Sequence, residues 1–304
     1  MDTSPSIIAV IVTWNKEKDV LRCLKQVYRS SIQPVEIVVV DNASEDDTVA
    51  KVAYHFPGVN LLKQTENSGG SGGFNAGMRY ALSKSCDFIW LLDNDAIPGV
   101  RFLHSALPVF DDVQVAIVGA QILDINQPHQ TVELGAFINW HKQGTTANLR
   151  NKSRVRSGQL FEVDYVPICC ALVRRTAIQD IGLLDPAYFL HWDDMDWGWR
   201  FRTAGYKVIA CSSALAWHKP YEGIEPPIAV QYYDHRNAMY FYSKYTKGLQ
   251  RSYLLAYGVI KRGISFAKNT VIWRHDRIRV GWDAMLDFFS NRMGKNQRTW
   301  MNTK

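Results

Sequence analysis

Two carboxylates one residue apart, Asp93 and Asp95 on either side of Asn94, close the apolar run Phe88-Ile-Trp-Leu-Leu92. A hard divalent cation that also meets phosphate oxygens prefers such donors, so the pair marks a place where a metal and a phosphorylated ligand could share a site. A second acidic cluster, Asp193-Asp-Met-Asp196, follows His191-Trp192 and precedes Trp197 and Trp199. If a helix begins near Asp193, Asp196 and Arg200 lie four apart and can pair, leaving Asp194 pointing elsewhere. The helix dipole favours carboxylates in a first turn, which predicts lowered pKa values and ionised groups able to accept a proton. Helix capping accounts for one Asp here but hardly for three. His218, ending Ala214-Leu-Ala-Trp-His218, is either a buried, satisfied histidine or a ligand in the company of Asp95. The three tryptophans of the cluster, Trp192, Trp197 and Trp199, offer flat faces to sugar rings or simply pack in the core.

An apolar run that ends in acids reads as a buried strand delivering them to its carboxyl end. Similar runs, Ile7–Thr13, Val35–Val40 and Val59–Lys63, are each followed by a helix-compatible stretch. Alternation at this spacing predicts an α/β fold with a doubly wound, mostly parallel sheet, in which Thr13, Asp41 and Asp93 emerge on one edge. An adenine or uracil ring, a ribose and a diphosphate would fit across those loop ends, with Asp41 accepting from a base or sugar donor; its alternative is an Asx helix cap. The stretch from Asn67 to Gly77 contains five glycines but matches neither the dinucleotide fingerprint nor a P-loop. It is expected to let the backbone approach a ligand, with Gly72 or Gly73 opening a helix whose N-terminal amides favour an anion, or to form a structural tight turn. A helix to about Phe110 and a strand from Val115 to Ala120 continue the sheet. Residues 121 to 160, with the basic cluster Arg150 to Arg156, suggest an inserted loop that could act as a mobile lid, before strand character resumes from Phe161 to Val173.

The whole chain, 304 residues and 47% hydrophobic, suffices for a large core. No apolar run approaches the roughly 20 residues that span a bilayer, and no cleavable leader opens the chain, so a cytoplasmic location is expected. Cys23, Cys86, Cys169, Cys170 and Cys211 form no Cys-x-x-Cys pair and read as reduced core residues. The net charge of +6 is concentrated after Lys244, among Trp273, Trp282 and Trp300. A basic, aromatic-bearing tail suits an anionic membrane surface or a nucleic acid, or is a solvated face of ordinary helices. Apolar and basic positions interleave from Tyr253 to Ile260 through Lys261-Arg262, Phe266, Lys268, Ile272-Trp-Arg274 and Arg277-Ile-Arg279. At about 1 kcal/mol for each cation near an anionic surface, three or four would hold the protein there reversibly. The alternatives are docking on the rest of the chain and an oligomer interface.

Together these residues resemble the family 2 glycosyltransferases over about residues 6 to 245. The resemblance rests on Val12-Thr-Trp-Asn15, Asp41-Asn-Ala-Ser44, Asn67 to Gly77, Asp93-Asn-Asp95, Trp192-Asp-Asp-Met-Asp196 with Arg200, Trp217-His218 and Tyr232-Tyr-x-x-Arg-Asn237. It implies the GT-A fold, with residues 1–225 as the nucleotide-sugar-binding and catalytic domain and 226–304 as a helical C-terminal extension. The pattern is most similar to bacterial galactofuranosyltransferases, with rhamnosyltransferases as neighbours. By that similarity Asp95 and His218 hold Mg²⁺ or Mn²⁺, Asp93 contacts the ribose or the metal, and Asp41 the uracil. Thr13, Asn15, Asn67, Gly72, Gly73, Asn94 and Trp192 would complete the donor site. Asp194 would be the base, with Asp193 the next candidate, because many relatives carry Glu-Asp where this chain has Asp-Asp. The implied reaction is an inverting transfer from UDP-galactofuranose to a hydroxyl of a cell-surface glycan; a dTDP-rhamnose donor is the alternative. The acceptor would be lipid-linked or an oligosaccharide, presented at the inner face of the cytoplasmic membrane, and nucleic acid is not an expected partner. A sugar nucleotidylyltransferase should carry a Gly-rich, Arg- or Lys-bearing loop where this chain has Thr13-Trp-Asn-Lys16. A catalytically silent nucleotide-sugar or glycan-binding protein would have no need of Asp95, Asp194 and His218.

Overall fold

A computed structural model describes residues 5–147, 152–153, 155–219, 226–271 and 275–298. Parts of the cluster from Arg150 to Arg156, the tail residues Ile272, Trp273 and Arg274, and Trp300 lie outside the described residues. The first part of the chain alternates as expected: β1 (Ile7–Thr13), α1 (Glu17–Val27), β2 (Glu36–Asp41), α2 (Thr48–His55), β3 (Asn60–Lys63), α3 (Gly69–Leu82) and β4 (Phe88–Asp93). Every residue of β1 is buried because both faces of the sheet are covered. Ile7, Ala9 and Ile11 share a core with Val20 and Leu24 of α1, while Ile8, Val10 and Val12 share another with Phe74 and Met78 of α3. Each such Ile or Val contributes about 1.5–3 kcal/mol by leaving water.

The chain continues through β5 (Ile97–Pro98), α4 (Phe102–Ala106), a 3-10 turn (Leu107–Asp111), β6 (Val115–Asp124), β7 (Gln130–Glu133), β8 (Ala136–Ile138), β9 (Thr145–Ala147), β10 (Lys152–Ser153) and β11 (Leu160–Glu162). Then come β12 (Cys170–Arg174), α5 (Arg175–Ile181), α6 (Asp193–Thr203), β13 (Lys207–His218), α7 (Ile228–Tyr245), α8 (Gly248–Val271) and α9 (His275–Phe289). The main sheet runs β10-β7-β6-β12-β4-β1-β2-β3. Its right half, β4 to β3, is parallel; β12 is antiparallel to both β4 and β6, and β13 runs parallel to β6. Register sets Asp41 beside Thr13 and Asp93 beside Val12, so the three polar strand ends share one edge.

Two expectations are corrected. The segment 121–160 is not one loop: β6 is buried through Asp124, β7 pairs with it, and the short strands β8, β9 and β10 follow before β11 begins. Its polar residues conceal this because Gln121 and Thr131, both fully buried, satisfy one another across the two strands at 2.7 Å. The tail's cations are not all outward either. Arg262 is buried, bonding Gln143 Oε1 and the Gly258 and His235 carbonyls, and Arg277 is buried against Gln231 and the Pro226 carbonyl. Those two side chains dock the helices onto the rest of the chain.

Helix α7 joins the C-terminal helices to the acidic cluster. Ala238, Phe241 and Tyr242 share a core with Ile138, Tyr188 and Trp192. Asp196, fully buried, accepts from Arg200 Nε (3.0 Å), Lys244 Nζ (2.7 Å), Tyr188 Oη (3.1 Å) and Tyr245 Oη (2.8 Å). The expected Asp196–Arg200 pair therefore exists within a larger network that ties α6 to α7. Removing a buried charge from such a network costs about 3–5 kcal/mol. Asp196→Asn should lower unfolding stability by about that amount in urea titration; an unchanged midpoint would show the network to be dispensable.

Candidate active site

Asp93, Asp95 and His218 each offer a ligand atom within 4.8 Å of the others. Strand β4 ends in Asp93 and the turn that follows it carries Asp95, while β13 delivers the histidine at the end of its antiparallel contact with β5. His218 Nε2 lies 3.0 Å from Asp95 Oδ1. Burial, and then the neighbouring charge of Asp95, push the Asp93 carboxyl up; burial opposes the ionisation of Asp95, but its bond to His218 holds it low. Crowded carboxylates that compete for one counter-charge suit a divalent cation, and two oxygens with an imidazole nitrogen are compatible with Mg²⁺ or Mn²⁺.

Asp193 and Asp194 open α6 but are not kept ionised by the helix dipole as expected. Burial pushes both carboxyls up, most strongly Asp194, whose next causes are the charges of Asp193 and Glu133. Desolvation outweighs the dipole because these groups lie inside the cleft and not on an exposed helix end. The two differ in their bonding. Asp193 is buried and accepts from Ser71 Oγ at 2.8 Å; half-buried Asp194 accepts only the adjacent Met195 amide among the described residues.

The residues expected to line the donor site divide. Asp41 is buried, with Oδ2 accepting the Ser44 amide and Oδ1 lacking any partner among the described residues, so it is half an Asx turn and half an unmet acceptor. Thr13 accepts from Asn94 Nδ2 at 3.1 Å, which fastens β1 to the loop after β4. The Asn15 backbone amide donates to the Ser44 hydroxyl and its Oδ1 accepts from the Glu45 amide, clasping the ends of β1 and β2. Asn67 Oδ1 caps the Gly69 amide at 2.8 Å. The glycine stretch is a correction: α3 begins at Gly69, before Gly72 and Gly73. A Cβ on Gly73 would lie 2.5 Å from Val12 Cγ1, so that glycine brings the helix down onto the sheet. Gly69, at φ +74°, is the position that sequence reasoning overlooked; a Cβ there would reach 2.1 Å from the Phe189 carbonyl. Trp192 is buried against Phe241 and Tyr242, and Trp197 is fully buried with Nε1 donating to the Gly182 carbonyl, so both pack in the core. Half-buried Trp199, beside Trp140 at 4.8 Å, keeps part of its face open.

Residues 8–182, more than half of the chain, match the family described as "Glycosyl transferase family 2". The chain belongs to glycosyltransferase family 2. It is 26% identical over 214 residues to galactofuranosyltransferase GlfT1 of Mycolicibacterium smegmatis, covering 70% of each chain. It is 28% identical over 204 residues to the dTDP-rhamnosyl transferase RfbF of Shigella flexneri, covering 67% of this chain and 65% of that one. Among solved structures, mannosyltransferase PcManGT from Pyrobaculum calidifontis, in complex with GDP-Man and Mn²⁺, superposes with TM-score 0.58 at 15% identity over 96% of this chain and 90% of that one. GalNAc-T7 with UDP, GalNAc and Mn²⁺ gives TM-score 0.60 at 14% identity; the match covers 79% of this chain and only 51% of that one. The fold is GT-A, and the protein is a glycosyltransferase.

The family 2 enzyme holds the entry into α6 in a shape that its motifs did not announce. Phe189, His191 and Trp192 all have positive φ, at 63°, 62° and 71°. Non-glycine residues held there cost about 1–3 kcal/mol each and persist only where surroundings dictate them. Here α7 does so. Asn237 Nδ2 lies 2.9 Å from each of the Tyr188, Leu190 and His191 carbonyls, and Arg236 Nη2 is 3.3 Å from those of Ala187 and Tyr188. His191 Nδ1 pairs with Asp234 Oδ1 at 2.9 Å. Burial works against protonation of His191, but Asp234, Asp194 and Asp193 outweigh it and push its pKa up to about 9. A cation therefore stands beside the paired aspartates at neutral pH. Because Asn237 sets the entry into α6, Asn237→Ala should lower kcat about tenfold to a hundredfold while donor affinity, measured by titration calorimetry, stays within about twofold. Equal loss of both would mean that the contact maintains only the general fold.

Proposed function

We propose that this enzyme is an inverting, metal-dependent galactofuranosyltransferase that moves galactofuranose from UDP-galactofuranose to a hydroxyl of a bacterial cell-surface glycan. The observation that carries the reading is the convergence of Asp93, Asp95 and His218 at the strand ends with Asp194 on the adjoining start of α6. The similarity to GlfT1 supports the donor sugar. The similarity to RfbF favours a second reading, in which the donor is dTDP-rhamnose. The unmet Oδ1 of Asp41 is suited to the ring N–H of either uracil or thymine, so it supports a pyrimidine nucleotide without separating the two.

In this proposal residues 1–225 are the catalytic domain and 226–304 a helical extension whose first helix completes the site. Asp95 and His218, with Asp93, hold Mg²⁺ or Mn²⁺. The ion would neutralise charge on the diphosphate. Asp194 takes the proton from the acceptor hydroxyl as that oxygen attacks the anomeric carbon; the bond to the nucleoside diphosphate breaks on the opposite side, and configuration inverts. Asp194 is preferred over Asp193 because Ser71 already engages the latter. His191, held by Asp234, offsets the carboxylate charge so that Asp194 can ionise at all. The acceptor is lipid-linked or an oligosaccharide, and the enzyme works in the cytoplasm, peripherally at the inner face of the membrane. Among the described residues no helix is long and apolar enough to cross one.

A panel of UDP- and dTDP-linked sugars, assayed for transfer, tests the donor; turnover of none of them would leave a binding protein instead. EDTA should abolish turnover, and Asp95→Ala or His218→Ala should greatly weaken metal-dependent donor binding; full activity in chelator would remove the metal from the proposal.

Asp194→Asn should retain donor binding and lose about 10²–10⁴ in turnover. Since burial and neighbouring charge raise the Asp194 pKa, the base is protonated below that value and competent above it. The free enzyme's kcat/KM should therefore rise with pH along a limb centred well above the usual carboxylate value of about 4. Glu133→Gln removes a repelling charge and should move this limb to lower pH; movement the other way would contradict the assignment.

A further inference from the structure

Beside Asp194 stand Glu133 and Tyr165, to which the proposed reaction gives no contact with substrate. On α6, Asp194 and Gly198 lie one turn apart and share a face. A Cβ on Gly198 would stand 2.6 Å from the Asp164 carbonyl oxygen and 2.7 Å from Tyr165 Cβ, so that face rests directly on the chain at Tyr165. Buried Tyr165 in turn donates its hydroxyl to Glu133 Oε1 at 3.1 Å. The backbone joins the same two residues. Gly135, at φ +66°, turns the chain after Glu133, and Ala136 then exchanges hydrogen bonds with Tyr165.

Two electrostatic effects agree with this placement. After burial and the charge of Asp193, Glu133 is the next cause that pushes the Asp194 carboxyl up. Burial, and then Asp93, Cys170 and Glu133, raise the Cys169 thiol, whose own backbone carbonyl accepts the Asp93 amide at 2.9 Å. The half-buried Glu133 side chain is therefore close both to the base and to the end of β4. Two carboxylates set against each other are costly unless donors lie between them. A sugar acceptor brings such donors, because its hydroxyls come in adjacent pairs. An ionised carboxylate has about four acceptor positions on its two oxygens, so the bond from Tyr165 does not exhaust Glu133.

We propose that Glu133, oriented by Tyr165, selects the acceptor by accepting a hydrogen bond from the hydroxyl next to the one that Asp194 deprotonates. The acceptor is accordingly a sugar with two adjacent free hydroxyls at the site of transfer. This rests on the reading of Asp194 as the base of a sugar transfer and deepens it. A site built to bond one hydroxyl rejects the analogue that lacks it, since its own polar group is then left unpaired.

The test offers n-octyl glycosides of galactofuranose, galactose, glucose, mannose and rhamnose as acceptors, then the monodeoxy analogues of the best of them. For the parent, the analogue missing the hydroxyl adjacent to the new linkage should lose about tenfold to a hundredfold in kcat/KM. Glu133→Ala should lose about as much with the intact acceptor and nothing further with that analogue, so the two changes are not additive. Glu133→Gln, which keeps an oxygen in the same place, should recover part of the discrimination, and Tyr165→Phe should weaken it. The ratio between the two acceptors is read within each variant, so partial loss of folded protein does not alter it. A Glu133 that only repelled Asp194 would move the pH limb and leave this ratio alone. Equal discrimination by the parent and Glu133→Ala would therefore overturn the proposal, as would a parent indifferent to the adjacent hydroxyl. A parent that turns over no donor fails the transfer reading and this inference with it; a parent that transfers while Glu133→Ala discriminates as it does fails this inference alone.

Discussion

The concentration of like charge at the head of the sheet is the constraint on which the rest of this structure depends. Asp93 and Asp95 come from the end of β4, Asp193 and Asp194 from the start of α6, and Glu133 from the end of β7. Burial and mutual repulsion drive several of them toward holding protons. An arrangement of this kind is stable only if positive charge enters it. The chain supplies two imidazoles, His218 against Asp95 and His191 against Asp234, and leaves a place whose donors suit a cation. Perturbed titration of this kind marks sites that handle charge, which agrees with a glycosyltransferase whose leaving group is anionic.

Holding those carboxylates in place requires backbone that would not otherwise adopt its shape. The left-handed residues before α6 are overdetermined from two sides. From α7, Asn237 and Arg236 bind consecutive carbonyls, and the fully buried Arg236 is itself stacked over Tyr232 and Tyr233 and bonded to the Gly294 carbonyl. From the sheet side, the first turn of α3 comes so close that only glycine fits at position 69. The C-terminal helices therefore act on the chemistry through backbone geometry, although none of their side chains belongs to the proposed metal or base set.

Much of the fold was legible because β1 and β4 are covered on both faces and so must be continuous apolar runs, and because acids at the ends of β2 and β4 have little reason to be there except a ligand. The expected convergence of Thr13, Asp41 and Asp93 follows from parallel register alone. What stayed hidden depends on tertiary contact. The sequence places the opening of a helix at Gly72 or Gly73, but α3 begins at Gly69, and close packing of that helix on Val12 outweighs glycine's low helix propensity. The polar pair Gln121–Thr131 kept the buried end of β6 and its partner β7 from reading as strand. The dipole argument for Asp193 and Asp194 failed because a helix end sunk in a cleft is governed by desolvation. The motif Tyr232-Tyr-x-x-Arg-Asn237 marks Asn237 but not what it holds, since its partners lie more than forty residues away in sequence. Arg262 and Lys261 are adjacent and identical in charge, yet helical rotation buries one and exposes the other.

The same logic of rotation and contact separates the two adjacent aspartates. Neighbours on a helix point about 100° apart, so Asp193 and Asp194 cannot share an environment. Asp193 turns toward α3, where Ser71 is within reach only because Gly69 and Gly73 let that helix settle against the 187–192 loop and the sheet. Its carboxylate is thereby a tie between the two halves of the cleft. Asp194, rotated away, faces Glu133 and keeps an oxygen available. In the proposed mechanism the two identical residues thus divide into an anchor and a proton acceptor through their surroundings, and the glycines of α3 contribute by deciding which is which.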